Sequence, residues 1–137
     1  MDLLFIDSSA WLSLELYRDQ NHEAGRRFAS GPARGYRWVT TNWVFSETVT
    51  LLRRHASHEA AVRIGTRLRD SSQILLVQVE VIHEQRAWHI FKDYADKDFG
   101  FVDCTSFAVM ESLGVQEAFT FDKHFRQFGF QTLPVVS

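Results

Sequence analysis

Apolar residues recur along this chain in two registers, short continuous runs and helical stripes, separated by polar breaks. Leu3-Leu4-Phe5-Ile6 is a run that stops abruptly at Asp7, the pattern of a strand buried on both faces. Ser8 or Ser9 can cap a helix that continues through Ala10-Trp11-Leu12-Ser13-Leu14. Arg18 to His22 is a polar break. Asn21 can cap a second helix over Ala24 to Ala29, and Gly31-Pro32 with Gly35 marks a turn. Tyr36 to Thr40 reads as a strand. Thr41 or Asn42 caps a long helix from Trp43 to about His55, with Trp43, Val44, Thr48, Leu51 and Leu52 at helical spacing. Ser57 can cap a fourth helix to about Arg69, and Gln73 to Val77 has strand character.

A fifth helix, Val81 to Tyr94, carries Ala87, Phe91 and Tyr94 on one stripe. The charged loop Asp93 to Gly100 leads to a sixth, where Cys104, Phe107, Ala108 and Glu111 fall at i, i+3, i+4 and i+7 and Gly114 can end the helix. Ala118 to Phe121 predicts a further strand ending at Asp122. A last helical turn and Gln131-Thr132-Leu133 follow, with Pro134 ending regular structure. Short strands alternating with helices call for a mainly parallel sheet of four or five strands covered on both faces. With no repeat, low-complexity tract or linker, residues 1–137 are expected to form a single domain.

Composition narrows the setting. The 137 residues suffice for a real core, and twelve Phe with four Trp supply its bulk. A formal net charge of -2 argues against a general polyanion binder but leaves room for a local basic rim. The single cysteine, Cys104, forbids an intramolecular disulfide and fits a reducing compartment. No basic segment precedes a long apolar core, and no run is long enough to span a bilayer, so the expectation is a cytoplasmic protein with no membrane partner.

Four acidic positions carry the chemistry. Asp7 and Asp122 each end a strand-like run, and in a parallel sheet two such ends face one edge. Asp103 would sit in the first turn of the sixth helix, where the dipole favours an anion. Glu47, with Trp43, Val44 and Leu51 at i−4, i−3 and i+4, falls on the apolar stripe of its helix. Carboxylates on such positions are expensive unless paired or bound to a cation. Brought together they would raise one another's pKa unless a hard ion neutralised them, and an oxygen-only set selects Mg²⁺ or Mn²⁺ over Zn²⁺. Such ions suit phosphodiester hydrolysis. Each residue also has a plainer reading: a helix cap for Asp7, a dipole partner for Asp103, an Arg partner for Glu47, a turn residue for Asp122. What tips the balance is the set of four on one α/β plan.

In their order and setting these residues resemble the PIN-domain family, and within it the small toxins of the VapBC type. The matching stretches are Phe5-Ile6-Asp7-Ser8-Ser9, Thr40 to Thr48 around Glu47, Val102 to Met110 around Asp103, and Phe119-Thr120-Phe121-Asp122-Lys123-His124-Phe125. The resemblance implies a three-layer α/β/α sandwich and a metal-dependent ribonuclease. It implies that Asp7, Glu47, Asp103 and Asp122 form the acidic catalytic set around Mg²⁺ or Mn²⁺, with Asp7 and Asp103 the most direct ligands. Ser8 matches a hydroxyl position that holds a carboxylate or a metal-bound water. Val102 stands where many relatives have a hydroxyl residue. The resemblance further implies an RNA substrate, a homodimer, and a small antitoxin whose tail occupies the acidic cleft, where an Arg guanidinium would match the carboxylates.

The remaining polar residues add less. The six histidines lack ligand-spaced cysteines, so zinc is disfavoured and solvated or capping roles are expected. Cys104 reads as packing. Arg53, Arg54, Arg63, Arg67 and Arg69 read as a solvated face, whereas Lys123 and Arg126 adjoin Asp122 and could hold RNA phosphates. Thr105 and Ser106 lie near Asp103, and the sequence does not choose between them. The competing class is a non-catalytic RNA-binding or protein-interaction module on the same fold. A receiver-like phosphoryl-transfer domain is a third, opposed by the lack of a Lys closing a strand.

Overall fold

The computed structural model describes residues 1–135, so the last two residues of the expected 1–137 domain lie outside the described residues. Among them, five parallel strands form one sheet: β1 (Leu3–Ile6), β2 (Arg37–Thr41), β3 (Ile74–Val77), β4 (Glu117–Phe119) and β5 (Gln131–Leu133), in the order β3-β2-β1-β4-β5. Helices α1 (Ser8–Glu15), α2 (His22–Ser30), α3 (Asn42–His55), α4 (His58–Asp70), α5 (Val81–Asp93), α6 (Phe101–Leu113) and α7 (Lys123–Phe128) connect them, with a 3₁₀ turn at Pro32–Gly35. This is the expected α/β/α sandwich. No helix among the described residues is long and apolar enough to cross a membrane.

Strand alternation sorts the core onto two faces. Leu4, Trp38, Ile6 and Phe119 share one, because Leu4 pairs with Trp38 and Ile6 with Phe119. There Trp11 of α1 meets Trp38 edge-on at 5.6 Å, and Phe28 of α2 meets Phe119 at 4.8 Å. Phe5 points to the opposite face, against Phe125 of α7 at 6.0 Å. On that side Phe107 of α6 stacks on Phe128 at 4.6 Å and meets Phe125 edge-on at 5.0 Å. Helix α6 is buried without a break from Cys104 to Met110, which makes it a central element rather than an amphipathic cover. Only at Glu111 does the stripe turn outward, to pair with Arg86 of α5 at 2.8 Å.

The structure differs from the sequence expectation at three local points. Asp7, not Ser8 or Ser9, occupies the cap position of α1: its backbone is extended and its carbonyl accepts from Ala10 N at 3.1 Å. Both serine hydroxyls are drawn to other side chains. Strand β4 stops at Phe119 rather than Phe121, because the Thr120 hydroxyl engages Asp7 and Asp122 and bends the chain out of the sheet. Glu47 is half-buried rather than enclosed, on the flank of α3 that borders an open cleft. Thr41 and Ser57 cap α3 and α4 through Val44 N and Ala60 N, as their positions predict.

Helices α1 and α2 approach so closely that a Cβ at Gly25 would lie 2.3 Å from Ser13 Oγ, itself fully buried and donating to Ala10 O at 2.7 Å. Gly25→Ala is therefore expected to destabilise the fold by about 1–3 kcal/mol through overpacking. Adding Ser13→Ala, which removes the nearer atom, recovers part of that loss. Urea unfolding of the single and double variants measures both; an unchanged midpoint in Gly25→Ala contradicts the close approach.

Candidate active site

The chain runs from β1 outward through β2 to β3, then returns to lay β4 and β5 on the other side of β1. Strands β1 and β4 thus flank the point where the order reverses, the position at which open α/β sheets place their ligands. Asp7 leaves the end of β1 there, its backbone N–H bonded to Phe119 O of β4 at 3.1 Å. Asp122 follows β4 and caps α7, accepting from His124 N at 2.9 Å. Asp103 comes in from the first turn of α6 and Glu47 from the middle of α3.

A hydroxyl network fixes the relation of Asp7 to Asp122. Ser9 Oγ and Thr120 Oγ1 each donate to Asp7 Oδ2 at 2.9 Å. With both hydroxyl protons committed to that oxygen, their lone pairs accept from Phe121 N and Asp122 N, also at 2.9 Å. The loop after β4 is thereby stitched to the carboxylate that ends β1. Asp103 Oδ2 accepts from Gly100 N at 3.1 Å and lies 2.9 Å from His124 Nδ1, which is 3.0 Å from Asp122 Oδ1. One ligand atom each from Asp103, Asp122 and His124 fall within 4.8 Å of one another. Glu47 reaches this group indirectly: the Ser8 hydroxyl donates to its Oε1, tying α3 to the first residue of α1. Glu47 also lines an open cleft of about 550 Å³ with Trp43, Ser46 and Val102.

Aromatic packing directs these side chains. Phe107 lies one turn after Asp103 and Phe125 three residues after Asp122, and their edge-on contact aligns the two helix starts. Phe99 meets the His124 imidazole edge-on at 5.6 Å and holds its plane. Thr105 does not enter the site, since its hydroxyl returns to Val102 O at 2.6 Å. Ser106 Oγ is buried without a hydrogen-bond partner.

Comparison with known proteins gives the family and the fold. The sequence model of the PIN domain matches residues 4–131. The chain belongs to the PIN-domain family. It is 36% identical over 129 residues, 93% of this chain and 95% of theirs, to the 23S rRNA-specific endonuclease VapC20 of two Mycobacterium tuberculosis strains. The crystal structure of Mycobacterium tuberculosis VapC20, described as a sarcin–ricin loop cleaving toxin, matches with a TM-score of 0.85 over 93% of this chain and 95% of that one.

In this PIN domain the acidic residues sit in a place that resists their charge. Burial, and then the charge of Asp103, push the Asp7 carboxyl up to about 7, despite the Ser9 and Thr120 hydrogen bonds. Burial and the Asp122 charge push Asp103 up to about 6, against the Gly100 N–H and His124. Cys104, next in the chain, has its thiol raised to about 11 by burial and by Asp103, so it is an inert packing residue. A cluster that holds carboxylates close while disfavouring their ionisation lacks positive charge, and a divalent cation fits that deficit. Sequence reasoning assigned no site role to Ser9, Thr120 or His124. The Thr-x-Asp spacing of Thr120 and Asp122 was the available signal, since such a hydroxyl can bond the backbone two residues on.

Without divalent ions the raised Asp7 value makes a stability prediction. A carboxyl with a folded pKa of about 7 against an ordinary 3.8 favours the protonated folded state, so its stability contribution is full below about pH 4 and lost as pH rises through about 7. Asp7→Asn removes that burden. In EDTA at about pH 8 the variant should exceed the wild type by on the order of 2 kcal/mol, with the gap closing near pH 4. Denaturant unfolding at the two pH values checks this, and a less stable variant at the higher pH contradicts it.

Proposed function

We propose that this chain is a Mg²⁺- or Mn²⁺-dependent endoribonuclease, the toxin of a type II toxin–antitoxin pair, acting as one PIN domain over residues 1–137. The observation that carries the reading is the convergence of Asp7, Asp103 and Asp122 at the β1/β4 reversal, where burial and mutual repulsion push the Asp7 and Asp103 carboxyls up. The identity to a 23S rRNA-specific endonuclease over nearly the whole chain supports RNA as the substrate.

Asp7 and Asp103 would hold the ion directly, with Asp122 and Glu47 completing the acidic set. The ion, when bound, lowers the pKa of a water, orients the phosphate and stabilises charge on the leaving oxygen. Ser9 and Thr120 occupy Asp7 Oδ2, which leaves Oδ1 as the oxygen that would hold the ion. Ser8 fixes Glu47 Oε1, which leaves Oε2 as the oxygen that would accept a proton from a water at the site. Lys123 and Arg126 are exposed on α7 beside Asp122, where they would hold RNA phosphates.

A small antitoxin would silence the site by placing an Arg from its tail among the carboxylates, and the protein would work in the cytoplasm. A homodimer is supported by the exposed pair Trp88 and Phe91 on α5, stacked with centroids 5.9 Å apart, with exposed Val81 two turns before Trp88 on the same helix face. Sedimentation equilibrium should give twice the chain mass of 15.9 kDa, and Trp88→Glu should return the monomer. A wild-type monomer at micromolar concentration would remove the dimer from the account.

An RNA cleavage assay tests the activity itself. Cleavage should need Mg²⁺ or Mn²⁺, stop with EDTA, and fall at least about a hundredfold in Asp7→Asn. Lys123→Gln with Arg126→Gln should raise KM, spare most of kcat and flatten the salt dependence. Cleavage indifferent to both EDTA and Asp7→Asn overturns the site, and RNA binding without cleavage leaves the non-catalytic module instead.

A further inference from the structure

His124 is the one nitrogen donor in a group otherwise made of carboxylates. Its position is set by packing: the side chain is 17% exposed, Phe99 braces the ring, and Nδ1 rather than Nε2 is turned inward. That atom sits 2.9 Å from Asp103 Oδ2 and 3.0 Å from Asp122 Oδ1. Adjacent donors around an octahedral ion with bonds of about 2.1 Å are separated by about 3.0 Å, the bond length times the square root of two. The two nitrogen–oxygen separations therefore match neighbouring vertices of one coordination shell. A proton on Nδ1 bridges the same atoms when no ion is present, and an ion would take that proton's place.

We propose that His124 is a direct ligand of the ion, its Nδ1 acting with Asp103 Oδ2 and Asp122 Oδ1, and that this nitrogen biases the site toward first-row transition ions over Mg²⁺. The inference rests on the metal-dependent reading above and adds to it a ligand and an ion preference. Oxygen donors alone discriminate weakly between Mg²⁺ and Mn²⁺, and Mg²⁺ keeps its waters in preference to an imidazole. One imidazole in the shell favours Mn²⁺, and Co²⁺ more strongly, in the order general to nitrogen ligands.

Calorimetric titration of the ion-stripped full chain with MnCl₂, CoCl₂ and MgCl₂ tests this. His124→Ala, His124→Gln and Asp103→Asn are compared, each first checked for native circular dichroism. The wild type should bind Mn²⁺ and Co²⁺ more tightly than Mg²⁺. Both His124 variants should lose about tenfold or more for the transition ions and little for Mg²⁺, so the preference collapses. In the Mn²⁺ complex of ¹⁵N-histidine-labelled protein, pulsed electron paramagnetic resonance should detect a directly bound nitrogen that is absent from His124→Gln. An unchanged ion preference without nitrogen coupling overturns the proposal. Tighter binding of every ion to His124→Ala also overturns it, because His124 would then be a stand-in cation rather than a ligand. Ion binding with no bound nitrogen, yet abolished by Asp103→Asn, removes only the His124 ligand. No ion binding to the wild type, or binding untouched by Asp103→Asn, removes the metal-dependent reading as well.

Discussion

The mutual repulsion of Asp7, Asp103 and Asp122 is the constraint that organises this molecule. Each comes from a different part of the chain, and left to themselves they would separate into water. They are kept together by the His124 imidazole between Asp103 and Asp122, two hydroxyls on Asp7, a backbone N–H on Asp103, and aromatic rings behind α6 and α7. One imidazole and several neutral restraints hold three carboxylates, which leaves Asp7 and Asp103 short of counter-charge. The Asp7 and Asp103 carboxyls consequently hold their protons to unusually high pH, and the missing charge is what an incoming cation provides.

The sheet explains why these groups can meet. An all-parallel sheet whose order reverses beside its first strand leaves a notch between β1 and β4, and chain segments leaving both strands must cross it. Thr120 uses that notch. It abandons the strand two residues earlier than its neighbours' β propensity suggests, and its hydroxyl links the two strand ends. Stability and site are thus in tension at one place: the rings that pack Phe107 against Phe125 stabilise the core and also press Asp103 toward Asp122.

Much of this was legible in the residues themselves. Leu3–Ile6 ending at Asp7, the capping residues Thr41 and Ser57, and the stripe of α3 were local patterns with one physical reading each, and strand–helix alternation led to the parallel sheet. The acidic set was visible because carboxylates at strand ends and on an apolar stripe are costly without a purpose. What escaped notice depends on contacts distant in sequence. Ser8 and Ser9 look alike as caps in the sequence, since nothing local reveals Thr120, 111 residues from Ser9, sharing Asp7 with it. The sequence offers His124 only a solvated or capping role, because its partner Asp103 lies 21 residues upstream. Glu47 was read as enclosed because its stripe is apolar, yet the stripe borders the cleft as well as the core.

The central claim is that these carboxylates converge in order to share a cation. Anomalous diffraction from a crystal soaked in Mn²⁺ addresses it most directly, since the ion's own signal locates it without reference to activity. The expected result is a peak at bonding distance from oxygens of both Asp7 and Asp103. Saturating Mn²⁺ with no peak there, while the carboxylates stay together, would contradict the account.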